Sequence, residues 1–303
     1  MSADEQWRVG FDAEVTFVNG GALQAQGFRL DVPGDSISDD DLAEEFVRHL
    51  GLLMVGAVRI SSKTLIREPH KGSRGVPAGA RGRRVVDLSH PIEDGMTTYP
   101  GLPGPRIGDH LSREQSRERY APGYEFQIGT ITMVSNTGTY LDTPFHRYPD
   151  GADLAAFPLE STTALDGLVV RLPATVRSVT RTLLAPYDVG GRAVLLHTGW
   201  DRHWRTEAYG HEHPYLTEDA AQRLAEQGAA LVGIDSVNID DTRDGRRPVH
   251  SALLAAGIPV VEHLRGLDQL PPDGFTFHAA PPAVAGMGTF PVRAYAVLGE
   301  SLG

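Results

Sequence analysis

Cysteine is absent from this chain of 303 residues. That excludes disulfides, thiolate metal sites and a cysteine nucleophile, and it suits a reducing compartment. Basic residues are also scarce: 28 Lys and Arg face 39 Asp and Glu, a formal net charge of −11. So acidic a chain lacks the basic footprint of a general nucleic-acid binder. No apolar run approaches bilayer length, which argues against a membrane protein. Residues Met1 to Trp7 are acidic and polar and show no secretory pattern, so a cytoplasmic protein is expected. No Gly-x-Ser-x-Gly elbow occurs, which removes the usual serine-hydrolase signature. The 41% apolar content is ample for a buried core.

The periodicity divides the chain into three parts: residues 1–68, 69–84 and 85–303. In the first, Val9 to Phe17 alternates as a strand with Phe11, Ala13, Val15 and Phe17 on one face. Asn19-Gly20-Gly21 supplies a hairpin turn, and Ala22 to Val32 the return strand. Ser38 to Asp41 has the acidic capping chemistry of a helix start, with Leu42, Phe46 and Leu50 at helical spacing behind it. Leu52 to Ile66 reads as a further strand, giving a small α+β unit of order β-β-α-β with no chemistry attached. The stretch from Glu68 to Arg84 is rich in Gly, Pro and Arg and reads as a linker.

The third part reads as α/β. Leu165–Leu172, Ala193–His197 and Ala230–Asp235 are apolar runs fitting buried strands. Leu216 to Gly228 is a helix with Thr217 as cap and Gly228 as stop. Gly101 to Pro122 is a long polar stretch carrying His110, suited to a flap over a pocket. Trp204 follows the strand that ends in His197-Thr-Gly-Trp200, at the expected pocket rim. Asp235 and Asp240 follow a buried strand, where acids more often bond loop amides than ligate. His250 sits near the start of a short helix, whose dipole disfavours the protonated ring. Glu262 emerges from the apolar run Ile258–Val261, so it needs a partner or a raised pKa.

One stretch concentrates chemistry: Val134-Ser-Asn-Thr-Gly-Thr-Tyr-Leu-Asp-Thr-Pro-Phe-His146. Gly138 permits a turn or a close approach, Pro144 fixes a φ angle, and Asp142 and His146 offer one oxygen and one nitrogen donor. This stretch resembles the core motif of the cyclase family, which includes bacterial kynurenine formamidases and isatin hydrolases. That pattern runs His-x-Gly-Thr-His-x-Asp-x-Pro-x-His. Gly138, Thr139, Asp142, Pro144 and His146 match it, whereas the two leading histidine positions hold Asn136 and Tyr140. An asparagine offers only a neutral carbonyl oxygen, and an un-ionised tyrosine is a poor ligand.

The resemblance implies a swivelling β/β/α domain that assembles as a homodimer or homotetramer and acts on a small molecule. It implies His146 as general acid/base and Asp142, His250 and Glu262 as ligands of a divalent metal (Mn, Mg or Zn). His110, Asn136 and Trp204 are then expected to touch substrate. Three functions stay open at this level. The first is a hydrolase opening an amide or lactone with an altered metal site. The second is a metal-independent isomerase, dehydratase or cyclase using Tyr140 and His146 as acid and base. The third is a non-catalytic binding protein, against which the retention of His146, His250 and Glu262 argues.

Overall fold

A computed structural model describes residues 5–32, 34–50, 52, 54–69 and 84–299. Most of the expected linker, residues 70–83, lies outside the described residues. The chain divides into two compact units, residues 1–81 and 82–303.

The first unit contains β1 (Glu5–Phe17), β2 (Ala22–Val32), α1 (Asp39–Leu50) and β3 (Val55–Pro69). The three strands form an antiparallel sheet of order β2-β1-β3. Gly20 adopts a φ of 82° in the first hairpin, where the amide of Gly21 donates to the Asn19 side chain. Val9, Phe11, Ala13 and Val15 alternate onto the face that α1 covers with Leu42 and Phe46. The Ser38 hydroxyl accepts from the amide of Asp41 at 3.0 Å, as the capping pattern predicts. Leu50 departs from expectation and is 39% exposed. Two steps of four residues rotate about 80° around a helix, enough to carry it off the covered face.

The second unit contains β4 (Arg84–Asp87), β5 (Arg106–Leu111), α2 (Arg113–Ser116), β6 (Ile128–Thr132), β7 (Tyr140–Asp142), β8 (Leu165–Arg171), β9 (Ser178–Val179), α3 (Arg181–Leu184) and β10 (Ala193–His197). It continues through β11 (Tyr215–Leu216), α4 (Glu218–Glu226), β12 (Leu231–Ile234), α5 (Pro248–Ala255), β13 (Val260–Glu262), β14 (Phe275–His278), β15 (Thr289–Pro291) and β16 (Tyr295–Leu298). Nine strands form one sheet of order β15-β7-β13-β12-β10-β8-β14-β16-β4. Its centre, β8-β10-β12-β13, is parallel, and antiparallel strands extend it on both sides. This is the α/β class expected.

The central strands are apolar at successive positions because both sheet faces are covered. Leu168, Val170, Val194, Leu196, Val232 and Ile234 pack with Leu184, Leu224 and Leu253 of the helices. Val169, Leu195 and Val261 point the other way, into a second core with Leu141 and Phe277. Each fully buried Leu or Val contributes about 1.5–3 kcal/mol. Thr217 has the extended backbone of an N-cap, but its hydroxyl donates to the Val179 carbonyl at 2.9 Å instead of capping α4. Among the described residues no helix is long and apolar enough to cross a membrane.

Candidate active site

The register at one side of the sheet builds the site. Antiparallel pairing sets Tyr140 of β7 opposite Glu262 of β13, while β15 sets Thr289 opposite Asp142. Alternation along β7 turns Leu141 into the apolar core and leaves Tyr140 and Asp142 on the other face. The turn into β7 depends on Gly138, whose φ is 66° and whose amide donates to the Thr98 hydroxyl at 2.8 Å. Pro144 then opens a single 3₁₀ turn that carries His146.

Asp142, His146 and His250 come together, each offering a donor atom within 4.8 Å of the others. Asp142 is fully buried, and its Oδ2 has no hydrogen-bond partner among the described residues. Its Oδ1 accepts from the Thr289 hydroxyl, which also contacts His146 Nδ1 at 2.7 Å. That hydroxyl has one proton, and an ionised carboxylate can only accept. His146 Nδ1 must therefore be the donor to Thr289, which leaves Nε2 as the nitrogen with a free lone pair. His250 is fixed in the same sense: Nδ1 contacts Asp240 Oδ2 at 2.6 Å, and Nε2 lies 3.5 Å from both Asp142 Oδ2 and Glu262 Oε1. Asp240 is itself held by the amides of Val249 and His250.

Glu262 accepts from Tyr140 Oη at 2.6 Å and from the Ile239 amide at 2.6 Å. Burial and the charge of Asp142 raise its pKa to about 7, against the opposing charge of His250. Burial and the charges of Glu262 and Asp142 push Tyr140 well above the ordinary phenol value, so it is a donor and not a phenolate. Burial acts to lower the His250 pKa, as the helix dipole does. The close carboxylates of Asp142 and Asp240 and the charge of Glu262 prevail and carry it up to about 10. The ring expected to be neutral is thus charged when nothing else neutralises the carboxylates. Burial likewise opposes ionisation of Asp142, yet His250, His146 and Thr289 hold its pKa below the usual carboxylate value.

These groups border a cavity of about 300 Å³, at the small end of ligand sites. Tyr140, His146, His250 and Glu262 line it together with Asn136 and Asn238, and Tyr99, Leu102, Arg147 and Arg247 complete the wall. A larger hollow beside Gly167, Arg192 and Phe275 contains none of the expected site residues. His110 is exposed on β5, away from the cavity wall. Trp204 stacks on His90 at 4.0 Å between ring centres and does not line the cavity either. Of the expected flap, Leu102 reaches the wall, while β5 pairs with β6 as a hairpin. Asp235 bonds the amides of Thr198 and Gly199, as expected of an acid at a strand end. Arg293 pairs with Asp87 at 2.8 Å, a structural role.

Thr289, Arg147, Arg247 and the orienting role of Asp240 were not singled out from the sequence. The signal nearest Thr289 was Gly288, where an added Cβ would lie 2.2 Å from the His146 amide nitrogen.

The family model described as "Putative cyclase" matches residues 86–241. A kynurenine formamidase of Bacillus cereus is 28% identical over 216 residues, covering 69% of this chain and 95% of that protein. A solved structure described as a "potential metal-dependent hydrolase with cyclase activity" superposes with a TM-score of 0.60 at 26% identity, covering 71% of this chain and 98% of that one. An isatin hydrolase bound to the product analogue thioisatinate shares the fold, with a TM-score of 0.62 at 21% identity over 72% of this chain and 94% of its own. With half of its length matched by the family model, and with this fold, the chain belongs to the cyclase family.

Proposed function

We propose that this protein is a hydrolase opening an amide or lactone bond of a small carbonyl compound, with one divalent ion held by Asp142, His146 and His250. The observation that carries the reading is the pair of oriented imidazoles around a buried carboxylate oxygen without a partner. His250 is tied through Nδ1 to Asp240 and His146 through Nδ1 to Thr289, beside Asp142 Oδ2. Histidines that bind metal through one nitrogen usually anchor the other in this way. Two imidazoles and one carboxylate suit Zn²⁺ or Mn²⁺ better than Mg²⁺. Tyr140, protonated and engaged with Glu262, is not a donor to the ion, so the set fits one ion. A bound divalent ion supplies a water of lowered pKa and polarises a carbonyl.

The roles of His146 and Glu262 are exchanged relative to the sequence expectation. His146 joins the ligand cluster. Glu262 lines the cavity, is poised near neutrality and is backed by the Tyr140 hydroxyl, which suits it to carry the proton from water to the leaving group. Asn136 and Asn238 provide neutral amides on the cavity wall for a substrate carbonyl. The names of the relatives, a formamidase and an isatin hydrolase, support amide opening as the reaction. The exposed Ile107, Ile128 and Ile131 of the β5–β6 hairpin support self-association.

The test is turnover of formanilides, cyclic amides and aryl lactones by the wild type and by Glu262→Gln. Turnover of at least one class should fall about 10²-fold or more in the variant. Wild-type rates in the variant would remove Glu262 from the chemistry.

A metal-independent isomerisation or cyclisation is the second reading. One observation favours it: the Tyr140 hydroxyl bonds Glu262 at 2.6 Å and His250 Nε2 lies 3.5 Å from Glu262 Oε1, so groups able to give and take a proton share one cavity. Activity that survives chelation but is lost in Tyr140→Phe would select this reading.

A further inference from the structure

Arg147 and Arg247 both line the active-site cavity, and neither has a carboxylate partner among the described residues. Arg171, Arg192 and Arg223 lack one too, but each donates to a backbone carbonyl and none of them lines this cavity. Arg117, Arg177, Arg181 and Arg205 are each neutralised by a glutamate. The contrast is sharpest in the loop that leads to Arg247. Asp241 is taken by Arg243 through both carboxylate oxygens, and Asp244 is taken by Arg246 in the same way. Both local acids are therefore engaged, and among the described residues Arg247 reaches only the Asp241 carbonyl and the Tyr99 hydroxyl, each at a long 3.4 Å. Arg147 contacts the Ser251 hydroxyl at 3.2 Å and lies over the Tyr148 ring. Two arginines thus line a small cavity with most of their guanidinium donors uncommitted among the described residues.

We infer that Arg147 and Arg247 form a carboxylate-binding subsite, so that the substrate is an amide or lactone bearing an anionic carboxylate. The inference rests on the hydrolase reading for the reaction, but the subsite itself stands on the unpaired arginines. An arginine fork matches a carboxylate in two parallel hydrogen bonds. The neighbouring site groups are consistent with this. An ion on Asp142 would offset the buried carboxylates, leaving the cavity wall net positive through the two arginines. Tyr99 and Leu102, on the same wall, give an aromatic or aliphatic body somewhere to pack.

The experiment compares formanilide with its 2-, 3- and 4-carboxylated analogues as substrates, and aniline with the aminobenzoates as ligands by calorimetry. It uses the full-length protein as purified and after chelation, with Arg147→Gln and Arg247→Gln as variants. At least one carboxylated probe should bind or react about tenfold or more better than its neutral partner, and each arginine variant should reduce that ratio about tenfold. Arg147 is exposed, so its variant remains informative if Arg247→Gln fails to fold. Equal affinity for neutral and carboxylated probes overturns the proposal. So does a preference that persists in both variants, or one that chelation removes and the arginine variants do not. Carboxylate-selective binding that depends on the arginines, without turnover of any probe, would uphold the subsite and reject the hydrolase reading.

Discussion

Thr289 shows how much one hydroxyl decides. It donates to Asp142, so it must accept from His146, and the tautomer of that ring follows. Thr289→Val keeps the shape and removes both bonds. Loss of an outer partner of this kind typically lowers metal affinity or activity 10–100-fold, about the effect expected here. Titration calorimetry with Mn²⁺ and Zn²⁺, with circular dichroism as the control for folding, checks it. Unchanged affinity and rate would mean that His146 is oriented by something else. Asp240 plays the matching part for His250, a role that sequence alone does not separate from direct ligation. An acid at a loop start reads the same in either case, and only the 2.6 Å contact to Nδ1 separates them.

At the scale of elements, the site is a product of register. Tyr140 and Glu262 are 122 residues apart, and they meet only because β7 pairs with β13 at that offset. Periodicity made the central strands legible, since buried parallel strands are apolar on both faces. The motif around Asp142 and the acid ending β13 were legible too. Strand pairing was not, because a slip of one residue leaves the pattern of each strand intact while it turns every side chain over. Hence Thr289 and the two arginines went unassigned, while His110 and Trp204, plausible by position alone, fall outside the cavity wall. The turn before β15 tests this view. In Gly288→Ala the new Cβ would lie 2.2 Å from the amide nitrogen and 2.5 Å from the Cα of His146. The backbone must shift, so a stability loss of about 1–3 kcal/mol and a clear drop in turnover are expected together. Gly245, with open space around it, is the control, and Gly245→Ala should change stability by less than about 0.5 kcal/mol. Equal behaviour of the two variants in thermal melts would contradict the close approach.

For the whole molecule, the buried charges set how the ion-free protein responds to pH. Burial raises the Asp235 pKa to about 7 against the hydrogen bonds from Thr198 and Gly199, so the folded chain holds a proton that the unfolded chain has lost. Its contribution to stability therefore falls as pH rises from about 4 to 7. The pKa of His250, raised to about 10, gives a contribution fully present below about pH 6.5 and lost as pH rises through 10. After chelation, the urea midpoint should decline from about pH 7 to pH 10 as His250 loses its proton. Below about pH 6.5, His90 and His263, whose pKa values burial lowers to about 3, act against the Asp235 contribution, which the difference between wild type and Asp235→Asn isolates. A midpoint that climbs from about pH 7 to pH 10 would contradict the His250 assignment, and an unchanged profile in Asp235→Asn would contradict that of Asp235.

The identity of the ligands is the central point, and elemental analysis after dialysis against Mn²⁺ and Zn²⁺ reads it directly. The expected result is one ion per chain in the wild type, loss of the ion in Asp142→Ala and His146→Ala, and its retention in Glu262→Gln. No bound metal in the wild type, or an ion kept by His146→Ala and lost by Glu262→Gln, would contradict the assignment.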